Sequence, residues 1–385
     1  MTEPAPSSLD EALSLLLGVP SEPGRADLLR VFGPGPGVAG YRRLARLVHP
    51  DRVPAARSGV ATAAFLRLSD LWGRYQRGQD APPVAPAAGG ETVIRTRRHI
   101  HTLLAARRGS GAEARDRPAG GVVEGDVALL HPAECRPVAG GEAQGAFLKI
   151  PRSAADNDLM EREAAALQRL ARVGDQRFAA YVPRLVESFP HAPAGAVAGR
   201  ASAPARRVNV IGRLDGFLSL ARVRAAHPRG VDARDVAWMW RRLLVALGYA
   251  HRAGVLHGAV VPGHVLVHPE QHGLVLVDWC YSGTPGESLI PALVPGFEAM
   301  YPPEVPARRP PDESTDIYLA TRCMTYLLGP DTPAQLRRFA DGCTLPSAAR
   351  RPHDAWRLLA ELDEVLERLF GPRRFRQFRM PPVGV

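Results

Sequence analysis

Ala146-Phe147-Leu148-Lys149-Ile150 carries the only lysine of a 385-residue chain in which Lys+Arg number 49. Everywhere else the sequence uses arginine for positive charge, even on plain solvated stretches. A single ammonium near the end of an apolar, β-type run suggests a place where guanidinium does not serve. Lysine is a compact point charge on a flexible stem, suited to gripping phosphate, whereas arginine is a rigid planar fork. Chance survival in an arginine-biased composition is the plain alternative, and the residues around this run decide between the two.

Outward from Lys149 the chain changes character by stretches. Residues 8 to 76 read as helices, and residues 77 to 92, with Ala81-Pro82-Pro83-Val84-Ala85-Pro86 and Gly89-Gly90, read as a Pro/Ala/Gly linker too poor in apolar side chains to pack. Short β-type runs follow: Thr92-Val93-Ile94, Val127 to Leu130, Phe147 to Ile150 and Val208 to Ile211. Helical periodicity takes over at Asp235 to His251, Ser314 to Leu328 and Ala355 to Phe370, which predicts an α+β chain. Residues 190 to 207, rich in Pro, Ala and Gly, read as an insertion between two strands.

Composition excludes several classes. Cys135, Cys280, Cys323 and Cys343 show no C-x-x-C pair, which argues against a zinc ribbon or a disulfide framework and fits a reducing cytoplasm. No signal-peptide pattern opens the chain, and no apolar run approaches the roughly 18 residues of a membrane span. A soluble cytoplasmic protein is expected. The net charge of +10 comes from dispersed arginines, so acidic partners are favoured in general and nucleic acid in particular is not.

Four segments stand in a fixed order after Lys149. Glu163 lies in the helical run Asp158 to Ala164; His257-Gly258-Ala259 leads to His264-Val265-Leu266-Val267; Leu274 to Val277 leads to Asp278-Trp279; Tyr301-Pro302-Pro303-Glu304 precedes Asp316-Ile317-Tyr318 and, later, Arg350-Arg351-Pro352. Together they resemble the protein kinase fold across residues 93 to 370, with a β-rich small lobe over about 93–213 and an α-rich large lobe over about 214–370. The resemblance implies that Lys149 contacts the α- and β-phosphates of ATP and pairs with Glu163, with Glu161 the rival partner, and that Asp278 holds magnesium. A turn or N-cap role is the bland alternative for Asp278. Glu304 with Arg351 matches a structural ion pair, and Asp316 matches the residue that braces the catalytic loop.

The departures from that family carry as much weight. Ala259 stands where the family has the Asp that accepts the substrate hydroxyl's proton, and loss of a positioned base typically removes about 10²–10⁴ in rate. His264 stands where an Asn ligates the second metal, and imidazole suits magnesium poorly. Of the glycine-rich loop only Gly125 survives, in Val123-Glu124-Gly125-Asp126-Val127, after a loose insertion from Arg107 to Gly121. The resemblance therefore implies a pseudokinase in which His257, Ala259 and His264 form a degenerate loop and no residue is catalytic. The rival expectation is a weakly active or atypical Ser/Thr protein kinase.

At the N-terminus, Tyr41, Leu44, Ala45 and Val48 fall at helical spacing, as do Ala61, Phe65, Leu68 and Trp72, with His49-Pro50-Asp51 between the two runs. With Leu16-Leu17-Gly18-Val19 ahead of them, residues 1 to 76 resemble a J domain, the module by which co-chaperones engage DnaK-type chaperones. The resemblance implies that Arg42, Arg43, Arg46, His49, Pro50 and Asp51 contact a DnaK-type chaperone while the rest of the chain engages a client protein. The Pro/Gly-rich connector Ser21 to Gly37 is long for that family, and a helical hairpin with a coincidental His-Pro-Asp turn is the alternative.

Three further features read as structural. Trp238-Met239-Trp240 suits core packing. The histidines 251, 257, 264, 268 and 272 have suggestive spacing for a metal but fall on a turn-rich strand pair without matched carboxylates. The basic tail, residues 371 to 385 with Arg373-Arg374-Phe375-Arg376-Gln377-Phe378-Arg379, reads as solvated and partly docked.

Overall fold

A computed structural model of the chain describes residues 6, 8–20, 23, 25–33, 38–48, 53–78, 93–104, 121–192 and 204–381. The chain divides into two compact units, Met1–Glu91 and Thr92–Val385. The His-Pro-Asp tripeptide at 49–51, the linker from 79 to 92 and most of the insertions at 107–121 and 190–207 lie outside the described residues.

The first unit is helical. Helix α1 (Leu9–Leu17) begins at Ser8 in a capping box: the Ser8 hydroxyl accepts the Glu11 N–H, and the Glu11 carboxylate accepts the Ser8 N–H. Helices α2 (Arg25–Phe32), α3 (Val38–Leu47) and α4 (Ser58–Gly78) follow. The Pro/Gly-rich composition of Ser21 to Gly37 predicts a connector; a helix occupies its middle because Leu28, Val31 and Phe32 share one buried face. Leu16, Leu44, Val48, Leu68, Leu71 and Trp72 form the core, so the two expected apolar stripes do face inward. Phe32, Tyr41 and Tyr75 close on Trp72 with ring centroids 5.0–5.6 Å apart.

The second unit is mixed α and β. Strands β1 (Val93–Arg95), β2 (His99–Leu103), β3 (Val123–Glu124), β4 (Ala128–Pro137) and β5 (Gln144–Pro151) lead to helix α5 (Asn157–Val173), then β6 (Leu185–His191) and β7 (Arg206–Gly212). Among the described residues these strands make one antiparallel seven-stranded sheet, ordered β1-β2-β4-β5-β7-β6 with β3 on β4. The sheet curls until Glu187 on β6 meets Thr96 and His99 at the far end of the strand order. Its concave side buries Ala133, Cys135, Ala146, Leu148, Val208 and Val210.

The remainder is dominated by helices. Strand β8 (Leu218–Ser219) leads into α6 (Leu220–Ala226) and α7 (Ala233–Arg252); β9 (Val265–His268) and β10 (Gly273–Leu276) pair as a hairpin beside β8. Helices α8 (Glu313–Leu327), α9 (Ala334–Cys343) and α10 (Ala355–Phe370) complete the regular structure among the described residues. Their core centres on Met239, Trp240, Leu243, Leu247, Trp279 and Ile317. Trp238 instead stacks on His272 at 4.2 Å, and the tail docks through buried Phe378 and through Arg376, which pairs with Asp235 at 3.1 Å. Among the described residues no helix is long and apolar enough to cross a membrane.

Candidate functional site

Strand alternation puts Leu148 on the concave side of β5 and Lys149 on the opposite side, toward α5. Lys149 is 3% exposed, and its ammonium donates to Glu163 Oε1 at 2.9 Å and Asp278 Oδ1 at 2.8 Å, with Cys280 Sγ 3.2 Å away. Glu163 belongs to the buried face of α5 with Leu159, Met160, Leu167 and Leu170. Its other oxygen accepts from Asn209 Nδ2 at 2.9 Å, from the strand residue directly opposite Lys149. Glu161, two positions away and so on another side of the helix, pairs with Arg207 at 3.0 Å near the surface. The competition between the two glutamates is thus resolved in favour of Glu163.

Asp278 follows β10 with φ 65° and ψ 61°, in the left-handed region, and its side chain makes no cap bond to the turn it precedes. The N-cap alternative therefore fails. Burial would raise its pKa, but Lys149 and His264 pull it well below the carboxylate range. Burial likewise works against charge on Lys149, yet Asp278 and Glu163 hold its pKa well above the usual value. A buried ion pair of this kind contributes little net stability as a pair, while removal of one partner costs about 3–5 kcal/mol through the charge left behind.

The loop from Val255 to His264 is braced from beneath. The Asp316 carboxylate on α8 accepts His257 N–H at 2.8 Å and Gly258 N–H at 2.9 Å, and meets His251 Nε2 at 3.1 Å. Gly258 has φ 74°, and a Cβ there would lie 2.5 Å from the Tyr281 carbonyl oxygen, so both backbone and space require glycine. His257 Nε2 lies 2.9 Å from the Val277 carbonyl, and Ala259 N–H donates to His257 Nδ1 at 3.2 Å. Ala259 is fully buried and its methyl offers no proton acceptor. His264 Nδ1 meets the Ala259 carbonyl at 2.9 Å, while Nε2 stands 3.5 Å from Asp278 Oδ2.

Asp126, Asp278 and His264 each bring a ligand-capable atom within 4.8 Å of the others. Asp126 arrives through the turn at Gly125, whose N–H donates to Ala128 O at 2.9 Å and whose carbonyl takes the Arg152 guanidinium. The Tyr281 hydroxyl donates to Asp126 Oδ2. Burial and the nearby Asp278 charge push the Asp126 carboxyl's pKa up, favouring its neutral form. Two oxygens and an imidazole nitrogen could hold a divalent cation here, and the mixed set suits a transition ion better than magnesium.

Elsewhere, Glu304 and Arg351 form a buried bidentate pair at 2.6 and 3.0 Å, with the Thr315 hydroxyl on Glu304 at 2.9 Å. The five histidines go to different places, and the expectation that they lack carboxylates is corrected: His251 meets Asp316 and His264 meets Asp278, because strand and helix ends converge there. His268 packs edge-on against Phe217 at 5.3 Å. On α3, Arg43 and Arg46 are exposed; the side chain of Arg42 lies outside the described residues.

Sequence reasoning missed Asn209, Cys280 and Tyr281. Asn209 had a visible signal, a lone amide inside the β-run Val208-Asn209-Val210-Ile211. Tyr281 had none, since its meeting with Asp126 joins positions 155 residues apart.

No family model matches the chain. A stretch of 45 residues is 38% identical to casein kinase II subunit alpha' of Saccharomyces cerevisiae (strain ATCC 204508 / S288c). That match takes in 12% of this chain and spans 13% of the yeast protein's length.

Proposed function

We propose that residues 93–370 form a degenerate protein-kinase-like body that binds a nucleotide, ATP with magnesium at Asp278, without efficient phosphoryl transfer. On the same reading residues 1–76 act as a J-domain arm that brings a DnaK-type ATPase to a client protein, in the cytoplasm. One observation carries the first half: Lys149 touches both Glu163 and Asp278, which lie 14 and 129 residues away in sequence. Glu163 and Asn209 orient the ammonium; Asp278 offers hard oxygens on the same side. Magnesium would supply screening of the phosphate charge. No side chain at 259 takes a proton from a hydroxyl, which supports binding over turnover. The second half rests on the packed α3–α4 pair and on the tripeptide in the sequence between them.

The rival reading, a weakly active Ser/Thr kinase, draws support from the short likeness to the yeast kinase subunit. One set of measurements separates them. ATP, with and without magnesium, is expected to raise the melting temperature of the whole protein, and Asp278→Asn is expected to remove the magnesium-dependent part. No shift under either condition would refute nucleotide binding. Labelled ATP is expected to leave no phosphate on the protein; incorporation that vanishes in Lys149→Ala would establish the rival. For the arm, the protein is expected to raise DnaK ATPase turnover and His49→Gln to abolish the increase; an unchanged turnover with the intact protein removes the co-chaperone role.

A further inference from the structure

On the concave side of the curled sheet, away from Lys149, His99, His101, Cys135 and Glu187 come together beside apolar side chains. His99 and His101 stand two residues apart on β2 and so share a face. Cys135 on β4 lies directly opposite His101 in the strand register. Glu187 comes from β6, brought in by the curl, and its Oε2 accepts the Thr96 hydroxyl at 2.9 Å while lying 3.0 Å from His99 Nδ1 and 3.2 Å from His101 Nε2.

We propose that His99, His101 and Cys135 form a binding site for a divalent transition metal of the zinc class, with Glu187 as the carboxylate that orients both imidazoles. The three residues each offer a ligand atom, and those atoms lie within 4.8 Å of one another. His101 is fully buried, and its Nδ1 has no hydrogen-bond partner among the described residues. When the ring donates Nε2–H to Glu187, Nδ1 is left with a bare lone pair in an apolar interior, which costs free energy unless a donor or a metal ion takes it up. Two imidazoles and one thiol select a borderline-soft ion over magnesium or calcium. Histidine ligands held from behind by a carboxylate are the usual outer arrangement of such sites.

Binding replaces the Cys135 S–H bond by a sulfur–metal bond and releases that proton to solvent. Because that proton is released on binding, the site is expected to load better as pH rises. The side chains of His99 and Glu187 are 17% and 12% exposed, which leaves an edge open for entry. The ion would tie β2 and β4 together, with β6 attached through Glu187. This site and its test are independent of the nucleotide reading.

The test uses the full chain, reduced and stripped with chelator, with cobalt(II) alone as the probe. One cobalt per chain is expected, with a sulfur-to-cobalt charge-transfer band in the near ultraviolet that zinc abolishes by displacement. Cys135→Ser should remove the band, and Cys280→Ser should keep it. Glu187→Gln, which spares the ligands, should keep the band but weaken affinity about 10–100-fold. The proposal is overturned if the intact protein shows no such band, if the band survives Cys135→Ser, or if Cys280→Ser removes it instead. Cobalt bound with oxygen and nitrogen bands alone would place the ion at Asp126, His264 and Asp278 and equally overturn it.

Discussion

His257 is fixed in one protonation state by what surrounds it. Its Nε2–H donates to the Val277 carbonyl, so Nδ1 must remain bare to accept Ala259 N–H. Burial lowers its pKa to about 4, so the folded protein keeps the ring neutral where the unfolded chain, near 6.5, takes up a proton. The unfolded state then binds more protons between those values, and stability falls as pH drops from 6.5 toward 4. The loss attributable to this residue reaches about 3 kcal/mol. Urea midpoints taken across that pH range should show the decline, and His257→Gln should flatten it. Equal slopes in the two proteins would contradict the assignment. At this scale much was legible: Lys149, Glu163 and Asp278 stood out as residue types, and the three side chains do meet. Which glutamate faces Lys149 was weighed from local context and settled by helix geometry.

Helix α7 meets α10 at a point where only glycine fits. A Cβ on Gly248 would stand 2.4 Å from Trp356 Nε1 and 2.6 Å from Cε2. The indole cannot simply swing away, for Phe178 packs 5.1 Å from one side and the Arg252 guanidinium lies 4.8 Å from the ring. Gly248→Ala should therefore destabilise by about 1–3 kcal/mol through overpacking, against the gain in helix propensity that alanine brings. A denaturation midpoint equal to or above that of the unchanged protein would refute the close approach. The elements themselves were largely readable from periodicity, as β5, α7 and α10 illustrate. Helix α2 was not, since the Pro and Gly residues flanking Leu28, Val31 and Phe32 masked a single apolar turn pair.

For the molecule as a whole, order along the chain proved informative and curvature did not. Successive strands alternate in ways a sequence reveals, so a β-rich stretch before a helical one could be expected. How far the sheet bends is a sum of small twists, which is why Glu187 gave no hint that it would reach His99 and His101. The bond from Tyr281 to Asp126 likewise joins distant positions, and Asp126 lies near Asp278, the partner of Lys149. The second oxygen of that carboxyl accepts the Val127 N–H at 2.9 Å, so each Asp126 oxygen has a donor of its own. One anchor is the next residue and the other is 155 positions on, so the Tyr281 hydroxyl fastens the Gly125 turn to the segment that follows Asp278.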